Sequence, residues 1–254
     1  MAHMTVATDE IPAWLTICSW IGLALAVACA VGLAVDIARR PQHMAVMSLV
    51  WPICALFGSV IWVAAYIAWG RAPRRGSPES GGMGTTLGRA ATPRSMGSSV
   101  FLGTSHCGAG CTLADLLVEW LLFAAPSVAI VGGLHWVFSD ELFAGWVLAY
   151  VAALIIGIAF QYFAIAPMNP DRSRARNLGA AARADVLSLT AWQIGMYGVM
   201  AIAQLAVFPA WLGGPVATDT AVFWVVMQLA MLAGFVTAYP VNWWLISAGV
   251  KERM

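Results

Sequence analysis

Six stretches of the chain, near residues 13–35, 44–69, 112–137, 142–166, 184–209 and 220–247, are almost unbroken runs of apolar residues. A helix needs about 20 such residues to cross roughly 30 Å of hydrocarbon, and each run is long enough. The pattern predicts an all-α fold, a polytopic membrane helical bundle of about six transmembrane helices. Pro52, Pro126, Gly132-Gly133 and Pro240 fall inside the runs and predict kinks, because neighbouring helices can satisfy the backbone groups that proline frees.

The longest break, 70–105, contains Gly76-Ser77-Pro78-Glu79-Ser80-Gly81-Gly82 and little that could build a core, so it reads as a flexible linker. It divides a two-helix front segment, 1–69, from a four-helix membrane domain, 106–254. The halves 1–127 and 128–254 share no motif order, which argues against an inverted-repeat transporter.

Composition agrees with the pattern. Hydrophobic residues make up 61% and charged residues 10%, against roughly 25% charged in a soluble domain. A net charge of +1 leaves no basic footprint for nucleic acid. The lipid bilayer is the expected environment. Cys18, Cys29, Cys54, Cys107 and Cys111 form no regular disulfide framework. The first apolar run follows Asp9 and Glu10 rather than a basic segment, so it reads as a retained helix and not a signal peptide.

Cytoplasmic loops retain Lys and Arg. The 70–105 and 167–183 segments and the C-terminus hold eleven of the thirteen basic residues. The chain is therefore expected in a cytoplasmic (bacterial inner) membrane with both termini cytoplasmic. The Arg39-Arg40 pair dissents, since that orientation puts it outside.

The segment Ser105-His106-Cys107-Gly108-Ala109-Gly110-Cys111-Thr112-Leu113-Ala114-Asp115 carries the most chemistry. On a helix, Cys107, Cys111, Asp115 and Glu119 recur every fourth residue and share a face, with His106 beside it. Two thiols and an imidazole suit soft or borderline ions, Cu(I) first and Zn(II) next. His106, Cys107 and Cys111 are thus candidate ligands, and Asp115 and Glu119 candidate second partners or proton acceptors. The alternative is packing: cysteine is a small apolar filler, and Gly108-Ala109-Gly110 favours close helix approach. Thioethers and amides form a second constellation. Gln193, Met196, Met200 and Gln204 follow one face of the fifth run, and Met227 and Met231 lie one turn apart in the sixth beside Gln228. Such a seam could line a path for a soft cation, or fill gaps between helices. His43 and His135 read as interfacial anchors, and Trp51, Trp62, Trp69, Trp136, Trp146, Trp211, Trp224, Trp243 and Trp244 as an interfacial belt. No phosphate-binding loop, zinc-protease or nucleophile-elbow motif is present, so an enzyme is less expected than a binding protein.

The Ser105–Leu113 segment, the run Phe160-Gln161-Tyr162-Phe163-Ala164-Ile165-Ala166-Pro167-Met168, and Tyr239-Pro240-Val241-Asn242-Trp243-Trp244-Leu245-Ile246 with Gly249, Lys251 and Glu252 resemble a prokaryotic membrane family, domain of unknown function 4396. His43-Met44-Ala45-Val46-Met47 through Trp51-Pro52 resembles its usual front segment. The resemblance implies a compact helical membrane fold and singles out the same His/Cys segment, and it brings no activity with it.

The sequence reading is therefore a membrane protein that binds and moves or hands over a soft metal ion, acting as a homo-oligomer or with a metal-handling partner. Its rivals are a thiol oxidoreductase, since Cα atoms one turn apart lie about 6 Å from each other and within disulfide reach, and a structural subunit with no site of its own.

Overall fold

The computed structural model describes residues 5–6, 9–40, 42, 44–72, 95–166 and 169–252. It is a bundle of helices with no strand among the described residues: α1 (Ala13–Arg39), α2 (Met47–Ala65, continued by a π-turn Tyr66–Gly70), α3 (Met96–Ala124), α4 (Glu141–Ile165), α5 (Arg174–Ile202), a short α6 (Phe208–Leu212) and α7 (Ala221–Ser247). Six helical segments are long and apolar enough to cross a membrane. Their outward faces carry Ile21, Ile155, Ile194 and Val236, each more than 60% exposed. In water such surfaces would aggregate; in lipid they meet a matching solvent.

α3 is the central helix. Residues 102–112 are buried on every side, and the remaining helices wrap it. This explains why its start was hard to read. The helix expected to begin near 112 begins at Met96, where Ser95 accepts a hydrogen bond from the Ser98 amide at 3.2 Å and caps the first turn. Residues 96–105, expected as linker, are helical. Their Ser, Gly and Thr face protein rather than lipid, so hydropathy misses them. Thr104, Ser105 and Thr112 donate to the carbonyls four residues back at 2.7–2.8 Å, which satisfies their hydroxyls. The helix stops at Ala124, before Pro126, so the 112–137 run ends early in a 3-10 turn and a loop holding Gly133 and His135 at positive φ. Residues 73–94 of the expected linker and His43 lie outside the described residues.

α2 doubles back on itself. Ser59 has φ 43° and ψ −124°, which breaks the helix between an arm at 47–58 and an arm at 60–70. In a straight helix residues 51 and 70 would be about 28 Å apart. Instead the Trp51 ring lies 5.5 Å from that of Tyr66 and a Cβ at Gly70 would fall 2.5 Å from it. At the base of the hairpin, Arg71 donates to both Asp36 carboxylate oxygens at 3.1 and 3.2 Å, and Tyr66 donates to the same group at 3.0 Å. The Asp36 carboxylate raises the Arg71 pKa from its already high ordinary value. Both ends of α2 thus sit at the end of α1 that carries Arg39 and Arg40.

The ends of the bundle follow. At one, here the basic end, the base of the hairpin meets the start of α3 through Trp69 and Phe101, 5.2 Å apart, and Lys251 reaches Gly103. At the far end the Val6 amide donates to the Pro215 carbonyl at 2.9 Å, and Trp14 lies 6.1 Å from Trp211. The described N-terminal residues and the C-terminal residues therefore lie at opposite ends of the bundle. The hairpin returns to the end at which it starts, so Arg40 and Arg71 meet at the same carboxylate, Asp36.

Candidate functional site

The tip of the hairpin reaches the middle of α3 and is fastened there. The Cys54 thiol donates to the Ser105 carbonyl at 3.2 Å and the Trp62 indole to the Ser105 hydroxyl at 3.1 Å. The helix break frees carbonyls on the first arm, and one of them, on Leu56, accepts from the Gln228 amide at 2.6 Å. Around the tip Phe57, Trp62, Trp192 and Phe235 meet edge to face, with centroids 4.6–6.1 Å apart. Trp51 and Trp62, expected in an interfacial belt, are instead fully buried.

Above the tip, toward the far end, lies a cavity of about 340 Å³ whose walls include Asp115, Thr112, Met227, Met231, Trp120 and Trp224, with Leu56 and Phe57 of the hairpin among its lining and Asp219 and Thr220 from the far-end loop. Asp115 is 2% exposed, and one of its carboxylate oxygens has no hydrogen-bond partner. One turn farther out Glu119 accepts from the Thr218 hydroxyl at 3.2 Å. One turn deeper come Cys111 and then Cys107, adjacent thiols on the same face. Beyond Cys107 lies Asp185 of α5, fully buried with neither oxygen in a hydrogen bond of ordinary geometry. An acid at membrane depth costs roughly 2.5–3.5 kcal/mol on insertion scales, and the column has two, Asp115 and Asp185, neither in a salt bridge among the described residues.

The residues singled out by the sequence divide accordingly. Glu119, Asp115, Cys111 and Cys107 line up as expected. Cys54, which has no candidate ligand near it in sequence, is brought by the hairpin to the same stretch of α3. His106 points elsewhere: one residue along a helix turns about 100°, and its imidazole lies within electrostatic reach of Lys251 with both ring nitrogens buried and unpartnered. His106, Cys107 and Cys111 do not converge, and among the described residues no three His, Cys, Asp or Glu side chains form a set that could hold a metal. Met227 and Met231 line the cavity, Met231 within 3.9 Å of the Thr112 hydroxyl. Met196 and Met200 are buried in the core. Gln193 is buried without partners, whereas Gln204 exchanges two hydrogen bonds with the Val216 backbone at 2.9 and 3.0 Å and so pins the far-end loop.

The glycines of the segment have a packing role. A Cβ at Gly108 would strike the Trp192 ring, and one at Gly110 would lie 2.9 Å from the Gly157 Cα of α4. Gly157 in turn leaves room for the Asp185 carboxylate, against which its Cβ would collide.

The sequence profile of the family described as domain of unknown function (DUF4396) matches residues 98–251. The chain belongs to this family. The matched region is the part that contains α3 to α7 and Lys251, hence the whole column from Glu119 to Asp185; the re-entering hairpin and α1 precede it. No curated protein and no solved structure matches the chain.

Sequence reasoning missed Asp185, Asn242 and Lys251 as members of the site. An acid at the second residue of the apolar run 184–209 was the available signal for Asp185. Asn242 and Lys251 stand in the stretch that carries the family resemblance, and the charge pattern gives Lys251 a part only in orientation.

Proposed function

We propose that the protein carries a soft metal cation across the cytoplasmic membrane, Cu(I) before Zn(II), taking it from the far-end cavity at Asp115 and passing it along Cys111 and Cys107. The observation that supports this reading is the single file of Glu119, Asp115, Cys111 and Cys107, which runs from the cavity wall into the core. Thiolates and thioethers select soft ions, and Met227 and Met231 border the entrance. The ligand count favours copper. A structural Zn(II) site wants four ligands, while two thiols with Cys54 nearby suit a monovalent soft ion. Non-helical backbone at membrane depth is tolerated where it lines a cavity, which gives the break at Ser59 a place in the same scheme.

On this reading the chain crosses the membrane five times and enters once without crossing. All basic residues among the described ones fall toward the basic end, which then faces the cytoplasm and leaves the N-terminal residues outside.

The test is metal content. Protein purified without chelator or affinity histidines, then exposed to Cu(I) under reducing conditions, should hold one ion per chain. Cys107→Ser and Cys111→Ser should each lose most of it, because losing one of two thiolates weakens ligation steeply. Cys18→Ser and Cys29→Ser should retain it. Cys54→Ser should reduce it. Wild-type protein that stays metal-free, or equal retention by the Cys107 and Cys18 variants, would overturn the proposal and leave the thiols as packing.

A further inference from the structure

The geometry points to a second, inner cation site at Asp185, in which the Lys251 ammonium sits as a tethered occupant that a small free monovalent cation can replace.

The lysine follows α7 on a short strap. Gly249, at φ 71°, turns the chain in the left-handed conformation that glycine adopts without strain, and the amides of Val250 and Lys251 both return to the Leu245 carbonyl at 3.0 and 3.1 Å. The next residue, Glu252, fixes the strap from outside. Its carboxylate accepts from the Asn169 amide at 3.0 Å and from Arg172 at 3.1 Å. Between these anchors the Lys251 side chain runs inward until it is 2% exposed, an exceptional position for a lysine.

Its ammonium donates to the Asn242 side-chain oxygen at 2.7 Å and to the Gly103 carbonyl at 3.1 Å. The Asn242 amide nitrogen is held by the Ser188 hydroxyl at 2.6 Å and by the Ala238 carbonyl at 3.0 Å, so its oxygen is committed to face the ammonium. Ser188 lies one turn after Asp185 on α5. The Asp185 carboxylate attracts the ammonium without pairing to it. It makes no ion pair, and both its oxygens are buried, with the Cys107 thiol beside them and no other hydrogen-bond partner. An ion pair would have closed the arrangement. Instead there are two neutral oxygens around a cation and, close by, a carboxylate with unused capacity, which is the oxygen-rich surrounding that small monovalent cations take. Burial lowers the Lys251 pKa from its ordinary value, and the Asp185 carboxylate acts against that, so the ammonium is held at a cost that a free cation would relieve.

The site lies at the inner end of the column that begins at Asp115, but it does not rest on the thiol chemistry proposed above. Its donors are oxygens from Gly103, Asn242 and Asp185.

The experiment follows the melting of full-length protein in detergent, with N-methylglucamine as the buffer cation and sodium, potassium or ammonium added. Lys251→Met keeps an unbranched side chain one atom shorter and removes its charge. Its midpoint should rise by about 5 °C when one of these cations saturates the vacated site, while wild type moves by less than about 1 °C. The double variant Lys251→Met with Asp185→Asn should lose the response. If Lys251→Met yields no folded protein, Glu252→Gln loosens the strap with the lysine retained and should show a smaller response of the same kind. Folded Lys251→Met that is as indifferent as wild type, a response that survives Asp185→Asn, or an indifferent Glu252→Gln in the case where Lys251→Met does not fold, would overturn the inference. A sodium, potassium or ammonium response in a chain that binds no copper would keep this site and remove the thiol reading; copper binding with no such response would do the reverse.

Discussion

Ser59 is the residue on which the front of the molecule turns. A side chain at φ 43° is strained by roughly 1–3 kcal/mol, and glycine relieves it. Ser59→Gly is therefore expected to leave melting unchanged or raise it, whereas Ser59→Val should reduce the yield of folded protein; a loss of stability in Ser59→Gly would mean that the serine side chain itself holds the tip. The glycines of α3 make the opposite case. Gly110→Ala places a methyl against the Gly157 backbone, where neither helix can yield locally, and should cost about 1–3 kcal/mol. Gly32→Ala meets nothing within 4 Å and should gain up to about 1 kcal/mol through helix propensity. Comparing the two melting curves checks the close approach of α3 to α4. Lys251 adds a pH dependence with a definite sign. Its pKa is lower in the folded chain, so between that value and about 10.4 the unfolded chain binds more protons and stability rises with pH. The rise should be absent from Lys251→Met, and equal slopes in the two proteins would contradict the burial of a charged lysine.

At the scale of elements, the sequence was most legible where helices face lipid. The runs at 142–166 and 220–247 correspond closely to α4 and α7, because hydropathy measures contact with lipid and these helices expose long apolar faces. It was least legible for α3 and α2. α3 hides its first ten residues behind other helices, so Ser, Gly and Thr there look like linker. α2 has the composition of a crossing helix, and only the backbone at Ser59 shows that it returns. The single file of Cys107, Cys111, Asp115 and Glu119 could be read from four-residue spacing, since it lies on one helix. Cys54, Asp185 and Lys251 come from three other parts of the chain, and no periodicity connects them to α3. The returning hairpin makes a prediction of its own. Reporter or cysteine-accessibility tags at residue 5 and residue 214 should report one side of the membrane, and tags at residue 72 and residue 252 the other. Tags at 5 and 252 reporting the same side would mean that residues 47–70 cross.

For the whole molecule, the column from Glu119 to Asp185 organises the separate observations. The far-end cavity gives access to an unpaired acid and two thioethers, the hairpin tip brings Cys54 toward the thiols and lines the cavity, and the strap with Lys251 occupies the basic end. The outer surface is apolar, and the interior holds two buried carboxylates without a salt bridge among the described residues, a costly arrangement at membrane depth. The most direct test of the account is flux. Full-length protein in sealed vesicles, with Ag(I) as a soft monovalent probe and a thiolate-based indicator trapped inside, should carry the ion above the rate of protein-free vesicles. Asp115→Asn and Cys107→Ser should each reduce that rate at least about tenfold, the size expected when about 1.4 kcal/mol or more of binding to the path is lost, while Cys18→Ser should match wild type. Vesicles with folded wild-type protein that admit the ion no faster than protein-free ones, or an Asp115→Asn variant as fast as wild type, would contradict a cation path through this column.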